Sequence, residues 1–425
     1  MRTQPWIHCA SIDTAFILAP AVIATLIALA INAAGHAQAG VSLAAWAVLV
    51  IGIDVAHVYS TLYRTYLDPF ERRQLSGWLI GTPLATWVLG VLLYTWSAAT
   101  FWSVLAYTAV FHFVRQQYGF LMLYSRGERA PPAWSPLGIS SLAARSPASG
   151  ISSLTARSPA SGISSLTARS PASGIPSLTA RSSRRLDQAT IYGATLFPLL
   201  YWHTHLPRPF VWFTDGDFLA LPAVLWRFAL PLYIALFAAY LAKEVALIYR
   251  TRSINWPRNA LILGTALSWY VGIVAAAGDL VFTLTNVVAH GIPYMALTCI
   301  YARRRDDRAV SEGAPSGDGR VQNTRSLFVL RLLPYAIGLL VVLAFVEEGL
   351  WDGLIWREHL ALFPGFQFLP HIQNLTTLSL LVPLLSVPQM THYVIDGVIW
   401  RLRTQPEWRK TLFWQPSNSP AQSAS

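Results

Sequence analysis

VPQMTHYVIDGVIWRLR, Val387 to Arg403, closes a long apolar run and yet carries Gln389, His392, Asp396 and Arg401. What those residues mean depends on the solvent around the helix, because a polar group costs far more in hydrocarbon than in water. The rest of the sequence identifies that solvent. Of 425 residues, 54% are hydrophobic and 12% charged, and 17 are Trp; an ordinary soluble domain has roughly 25% charged residues. The composition is that of an all-α, polytopic membrane protein, expected in a bacterial cytoplasmic membrane with the lipid bilayer as its first partner.

Runs long enough to cross a ~30 Å hydrocarbon core as helix, about 20 residues each, fall near 12–31, 42–63, 75–97, 100–124, 188–204, 223–249, 259–277, 279–302, 327–347 and 371–402. Ten helices are therefore expected. The first run also has features of a cleaved signal, with Arg2 before it and AGHAQAG after it, but its apolar stretch exceeds the roughly 7–15 residues of such signals. It reads as a retained helix.

Basic residues test the count. Arg64, Arg72 and Arg73 follow the second run, Arg126 and Arg129 the fourth, and Arg250, Arg252 and Arg258 the sixth. Arg303, Arg304, Arg305 and Arg308 follow the eighth, and Arg401, Arg403, Arg409 and Lys410 close the chain. Every second loop is basic, which places both termini in the cytoplasm. The same placement explains the net charge of +11 without a nucleic-acid partner. Two cysteines, Cys9 and Cys299, support neither a disulfide framework nor a thiolate metal cluster.

One segment has a different character. GISSLAARSPAS from Gly138 recurs as GISSLTARSPAS from Gly150 and Gly162, then decays into GIPSLTARSS from Gly174. Its Ser, Ala, Gly and Pro cannot bury a core, so 125–187 is expected as a disordered cytoplasmic loop between 1–124 and 188–302. Residues 303–326 form a second expected cytoplasmic loop. The last two helices occupy 327–403, and 404–425 is an expected disordered tail.

Four runs carry polar residues at helical spacing. Asp54 and His57 are three apart, His112 and Gln116 four apart, and Asn286 and His290 four apart. Gln389 precedes His392 by three residues, and Asp396 follows it by four. Each pair thus shares a helix face. The four helices run in the same direction, and each His falls at mid-helix or in the cytoplasmic half, so the imidazoles are expected to converge. Alone, any one His is explained by an interhelical hydrogen bond worth about 0.6 to 2 kcal/mol. Together they form a metal-ligand set, since neutral imidazole is the commonest metal ligand and its second nitrogen needs an orienting partner.

His57, His112, His290 and His392 are accordingly the expected ligands, with Asp54, Gln116, Asn286, Gln389 and Asp396 as the orienting partners. Imidazoles with few carboxylates suit Fe, Zn or Cu and poorly suit Mg or Ca. Iron is the first choice, and haem is an alternative. Arg64, Arg115 and Arg401 are expected at the interface, near lipid phosphate or a substrate headgroup. Asp13, Lys243 and Glu244 are weaker candidates near the cytoplasmic face. His36, His203, His205, His359 and His371 fall at the outer side and are not expected in the site.

FHFVRQQYGF (Phe111–Phe120), the Asp-x-x-His at 54–57 and a late-helix His resemble the Brp/Blh-type membrane carotene-cleaving dioxygenases. That resemblance implies a helical bundle with an all-histidine iron site. It covers a few residues around His57, His112 and His290, and the late His-x-x-x-His pair of that family is missing here. Carotene as the substrate is therefore not carried over. The expected function is an integral membrane metalloenzyme, a non-haem iron oxidoreductase acting on a lipophilic small molecule. Two other functions compete: a proton-coupled transporter using Asp13, Asp54, Asp279 and Asp396, and a haem or quinone redox protein.

Overall fold

The computed structural model describes residues 4–126, 180–311, 333–401 and 406–413. Among these residues the chain is all-α, with no strand. The repeats from Gly138 to 179 lie outside the described residues.

Among the described residues, each of the ten apolar runs contains helix. The helices are α1 (Ala10–Ala33), α2 (Leu43–Arg64), α4 (Ser76–Trp96), α5 (Ala98–Tyr124), α6 (Ala180–His203), α7 (Val224–Thr251), α8 (Trp256–Ala275), α9 (Asp279–Ser311), α10 (Leu333–Trp351) and the pair α11 (Leu375–Leu385) and α12 (Val387–Ile399). A short helix, α3 (Pro69–Gln74), follows α2, and another, α13 (Pro406–Leu412), follows α12. Six of them, α1, α2, α4, α7, α8 and α9, are long and apolar enough to cross a membrane, and the α11–α12 pair makes a seventh if counted as one bent span.

Local sequence starts these helices where capping chemistry predicts. Ser97 accepts from Thr100 N at 3.2 Å, Asn255 from Arg258 N at 3.2 Å and Asn374 from Thr377 N at 3.0 Å, each satisfying an amide that the first turn leaves free. Asp68 caps α3 in the same way, at 2.9 and 3.1 Å from Phe70 N and Glu71 N.

The run expected as one helix from 371 to 402 is broken. It starts at Leu375 and bends by 41° between Leu385 and Val387. Pro388 lacks the amide proton that would continue the ladder to Leu384 O, and the Ser386 hydroxyl donates to Val382 O at 2.9 Å. His371 precedes the helix, with its Nε2 3.0 Å from Ile355 O.

Three segments expected as loop or tail are helical. α6 begins at Ala180, because Asp187 is held in place by Lys243 and by Arg258 Nη1 at 3.4 Å. α9 continues to Ser311. α13 forms inside the expected tail and buries Trp408 and Leu412 against Tyr124, Ile262 and Tyr301.

Burial separates inner helices from outer ones. In α9, 67% of the apolar stretch is inside the protein, against 6% in α7. The central helix α9 packs against α1, α2 and α8, while α7 turns Phe228, Leu232, Val245 and Tyr249 outward. This arrangement puts the middle of α9, and with it His290, at the heart of the bundle.

Candidate metal centre

His57 on α2, His112 on α5, His290 on α9 and His392 on α12 meet at one point. One ring nitrogen from each lies within 4.8 Å of the other three. All four are buried, with 1% to 5% of their surface accessible. His57 Nε2 is 3.1 Å from His290 Nε2, and His112 Nε2 is 3.1 Å from His392 Nε2. The rings meet edge to face, with centroids 4.6, 5.0, 4.9 and 4.5 Å apart around the cluster.

Two features of the backbone bring them together. Residues Ala47–Val55 of α2 form wide π turns that end just before His57, a local rewinding often found at functional sites. Beside His290, Gly291 has no side chain to hold α9 away from Ile53 of α2.

Around the nitrogens, hydrogen bonds fix the rings. His392 Nδ1 is 2.7 Å from Thr61 Oγ1, which is 3.0 Å from Tyr294 Oη, and Tyr294 donates to Asp396 Oδ1. With Asp396 as the final acceptor, a consistent set of donors runs from His392 Nδ1–H through Thr61 and Tyr294 to the carboxylate. That tautomer leaves the His392 Nε2 lone pair facing the other imidazoles. Asp396 also lies 3.7 Å from His112 Nδ1 and 3.9 Å from His392 Nδ1, and Asp54 lies 3.8 Å from His57 Nδ1. These carboxylates are just beyond hydrogen-bond reach. Phe113 stacks on His290 at 3.6 Å, and Tyr393 covers His112 at 5.1 Å.

Imidazoles crowded in this way could hold a metal ion. A metal about 2.0–2.1 Å from each nitrogen holds its ligands roughly 3.3 Å apart in tetrahedral and roughly 2.9 Å apart in square geometry, and the two 3.1 Å contacts fall between these. Without a cation, each close nitrogen pair needs one proton between two buried rings. A divalent cation would bring positive charge beside Asp54 and Asp396.

Of the expected orienting partners, only Asp54 and Asp396 face an imidazole nitrogen. Gln116 donates to the backbone carbonyl of His290 at 3.0 Å, and Asn286 to Phe282 O at 3.0 Å. Gln389 donates to Glu347 Oε1 at 2.6 Å. Arg64, expected at the interface, is fully buried: it pairs with Glu71 at 2.6 Å, donates to Ile399 O at 3.2 Å and lies over Tyr301. An aromatic lid and an internal carboxylate take the place of the expected headgroup. Arg115 and Arg401 are exposed, Arg115 lying over Tyr118.

The weaker candidates are engaged elsewhere. Lys243 and Glu244 join Asp187 and Arg258 in a buried ion cluster between α6, α7 and α8. Asp13 accepts from Ile7 N at 2.5 Å, His8 N at 2.9 Å and Tyr124 at 3.2 Å. His203 meets Tyr107, His205 stacks on Tyr201 and His359 on Trp46.

Three residues of the site escaped sequence reasoning. Thr61 and Tyr294 each lie four residues after a site His, the same spacing that singled out Asp396, but a hydroxyl in an apolar run is too common to attract notice. Glu347 belongs to VEEGLW, whose paired carboxylates lie in an otherwise apolar helix. Only their three-dimensional placement links them to the centre. No protein-family model, curated protein or solved structure matches the chain.

Proposed function

We propose that the protein is a multi-pass membrane metalloprotein whose four histidines hold one metal ion, with iron the first choice, and that it oxidises a lipophilic small molecule reaching the site from the bilayer. The observation that carries this reading is the meeting of four buried imidazoles from four separate helices within 4.8 Å. Helix packing alone needs no such convergence, since each His satisfies one hydrogen bond wherever it lies.

The donor set selects among cofactors. Nitrogen ligands without a carboxylate in contact suit Fe, Cu or Zn. A haem between two of these rings would need room for its macrocycle, whereas the ring centroids are 4.5 to 5.0 Å apart. The residues fit a bare ion and not a haem. The choice of iron draws on the resemblance to the carotene-cleaving dioxygenases. When bound, such an iron supplies one-electron chemistry and dioxygen activation.

The chain's own residues do the rest. His57, His112, His290 and His392 bind the ion, and Thr61, Tyr294 and Asp396 hold the His392 tautomer. Phe113 and Tyr393 shield the centre from water. The alternating basic loops support a topology of ten membrane-crossing helices with both termini in the cytoplasm. Of the four carboxylates of the transport reading, Asp54 and Asp396 lie at the histidine cluster, whereas Asp13 accepts from Tyr124 and Asp279 from Thr283 away from it.

Elemental analysis of the full-length protein purified in mild detergent, with its optical and electron paramagnetic resonance spectra, tests the reading. One iron per chain is expected. A preparation without stoichiometric metal, and unable to take it up, would contradict the proposal.

A further inference from the structure

His57 turns its Nε2 to His290, at 3.1 Å, and its Nδ1 to Asp54, at 3.8 Å. The ring keeps 2% of its side-chain surface accessible, yet Nδ1 makes no hydrogen bond. The carbonyls of Ile53 and Asp54 on its own helix lie near without supplying one. Asp54 keeps 38% of its side-chain surface open, although Ile51 and Val55 on either side of it are buried. Among the described residues, no hydrogen bond reaches its carboxyl.

Two further helices flank Asp54. Glu347 and Glu348 of α10 and Tyr393 of α12 are in electrostatic contact with it. Glu347 has 5% of its surface accessible; its Oε1 accepts from Gln389 Nε2 at 2.6 Å, and its Oε2 has no hydrogen-bond partner. Tyr393 joins Met390, Trp351 and Trp102 in an apolar cluster. Among the described residues, no Lys or Arg pairs with Asp54, Glu347 or Glu348. The crevice between α2, α10 and α12 therefore joins unpartnered polar groups to an apolar wall.

We infer that this crevice is the substrate site and that it takes a lipophilic alcohol, whose hydroxyl bridges His57 Nδ1 and the Asp54 carboxyl. The inference deepens the metal reading and rests on it: with an ion on Nε2, the neutral ring carries its hydrogen on Nδ1. Two groups 3.8 Å apart are too distant for a direct hydrogen bond, yet one oxygen between them can bond to both. That oxygen must accept from Nδ1–H and donate to the carboxyl. A hydroxyl does both. An ammonium has no lone pair to offer, and a carboxylate or phosphate has no hydrogen and finds no basic partner here. Water shares the hydroxyl's chemistry but has no chain, whereas Met390, Tyr393, Trp351 and Trp102 give an apolar chain a place to leave water. Acceptance at Asp54 needs only a lone pair, which a carboxyl has in either protonation state. Glu347 Oε2 offers a second acceptor on the facing helix.

Hexadecanol carrying a diazirine in mid-chain, photolysed with the full-length protein in lipid nanodiscs, tests this, with labelled residues located by peptide mass spectrometry. Label is expected on Met390, Tyr393 or Trp351. Excess hexadecanol should displace it, and hexadecylamine and hexadecanoate should not. Asp54→Leu removes the acceptor and should weaken the alcohol's apparent affinity about tenfold. Asp54→Asn keeps a carbonyl oxygen there without the charge and should retain the binding, which separates the lost acceptor from a folding defect. Displacement by hexadecylamine, with the site lost in Asp54→Asn, would overturn the hydroxyl in favour of a cation. Label confined to outward positions such as Phe228 and Leu232 of α7 would overturn the site itself. Metal content is measured on the same samples. Metal bound without labelling of the crevice would overturn this inference alone, and a protein without metal would remove the metal reading and the Nδ1–H on which the inference rests.

Discussion

Gly291 and Ile53 are in contact across the α9–α2 interface: a Cβ built at Gly291 would lie 2.7 Å from Ile53 Cγ2 and 3.1 Å from its carbonyl oxygen. This approach sets the 3.1 Å separation between His290 and His57 one turn away. Gly291→Ala is therefore expected to cost about 1–3 kcal/mol through overpacking and to weaken metal binding. Gly291→Val should abolish binding. Thermal unfolding and metal content, measured together in detergent, check both; normal metal content in Gly291→Val would mean that the backbone approach does not matter.

The hydrogen-bonded series from His392 to Asp396 makes a second prediction. Loss of a group that orients a ligating imidazole typically costs about 10 to 100-fold in metal affinity. Tyr294→Phe and Asp396→Asn should each weaken the metal by that order in competition with a chelator while leaving the helical content unchanged. Asn286→Ala and Gln389→Ala, whose side chains touch no imidazole, should lower it less. An inverted ranking would return Asp396 to helix packing.

How much of this was legible in the sequence differs from residue to residue. The four histidines were, because an imidazole with a polar neighbour one turn away is conspicuous in an apolar run, and the repetition of that pattern on four helices pointed to one site. The bend between α11 and α12 was not placed, since Pro383 and Pro388 both mark the run and only Pro388 sits at the start of the second segment. Arg64 was misplaced for a physical reason. A basic residue at the end of an apolar run usually reaches water, and its burial requires Glu71, seven residues later on another helix, together with Tyr301 from α9. Spacing along one helix reveals same-face neighbours, but partners that meet across the bundle leave no such mark.

Arg64 and Glu71 form a buried pair with 0% and 4% side-chain exposure. Removing one member of such a pair strands the other and typically costs about 3–5 kcal/mol. Arg64→Ala should therefore unfold at a markedly lower temperature than the wild type. Arg64→Ala combined with Glu71→Ala should recover part of the loss, because no uncompensated charge remains. A single variant as stable as the wild type would show that the pair does not hold the end of α2.

The proposed topology makes Gly35 and Gly365 outer positions, and both are exposed. In a variant lacking Cys9 and Cys299, single cysteines at 35 and 365 should react with a membrane-impermeant thiol reagent added from outside intact cells. A cysteine replacing exposed Arg401 should not. Labelling at 401 alone would invert the orientation and move the basic loops to the outer side.

The central claim is that four helices share one metal ion, and the stoichiometry of metal in the four single variants His57→Ala, His112→Ala, His290→Ala and His392→Ala tests it most directly. Each should fall from one ion per chain to a small fraction of that after dialysis against chelator, with all four similarly affected and the protein still folded. Stoichiometric metal retained in all four variants would contradict the claim and leave the histidines as packing residues.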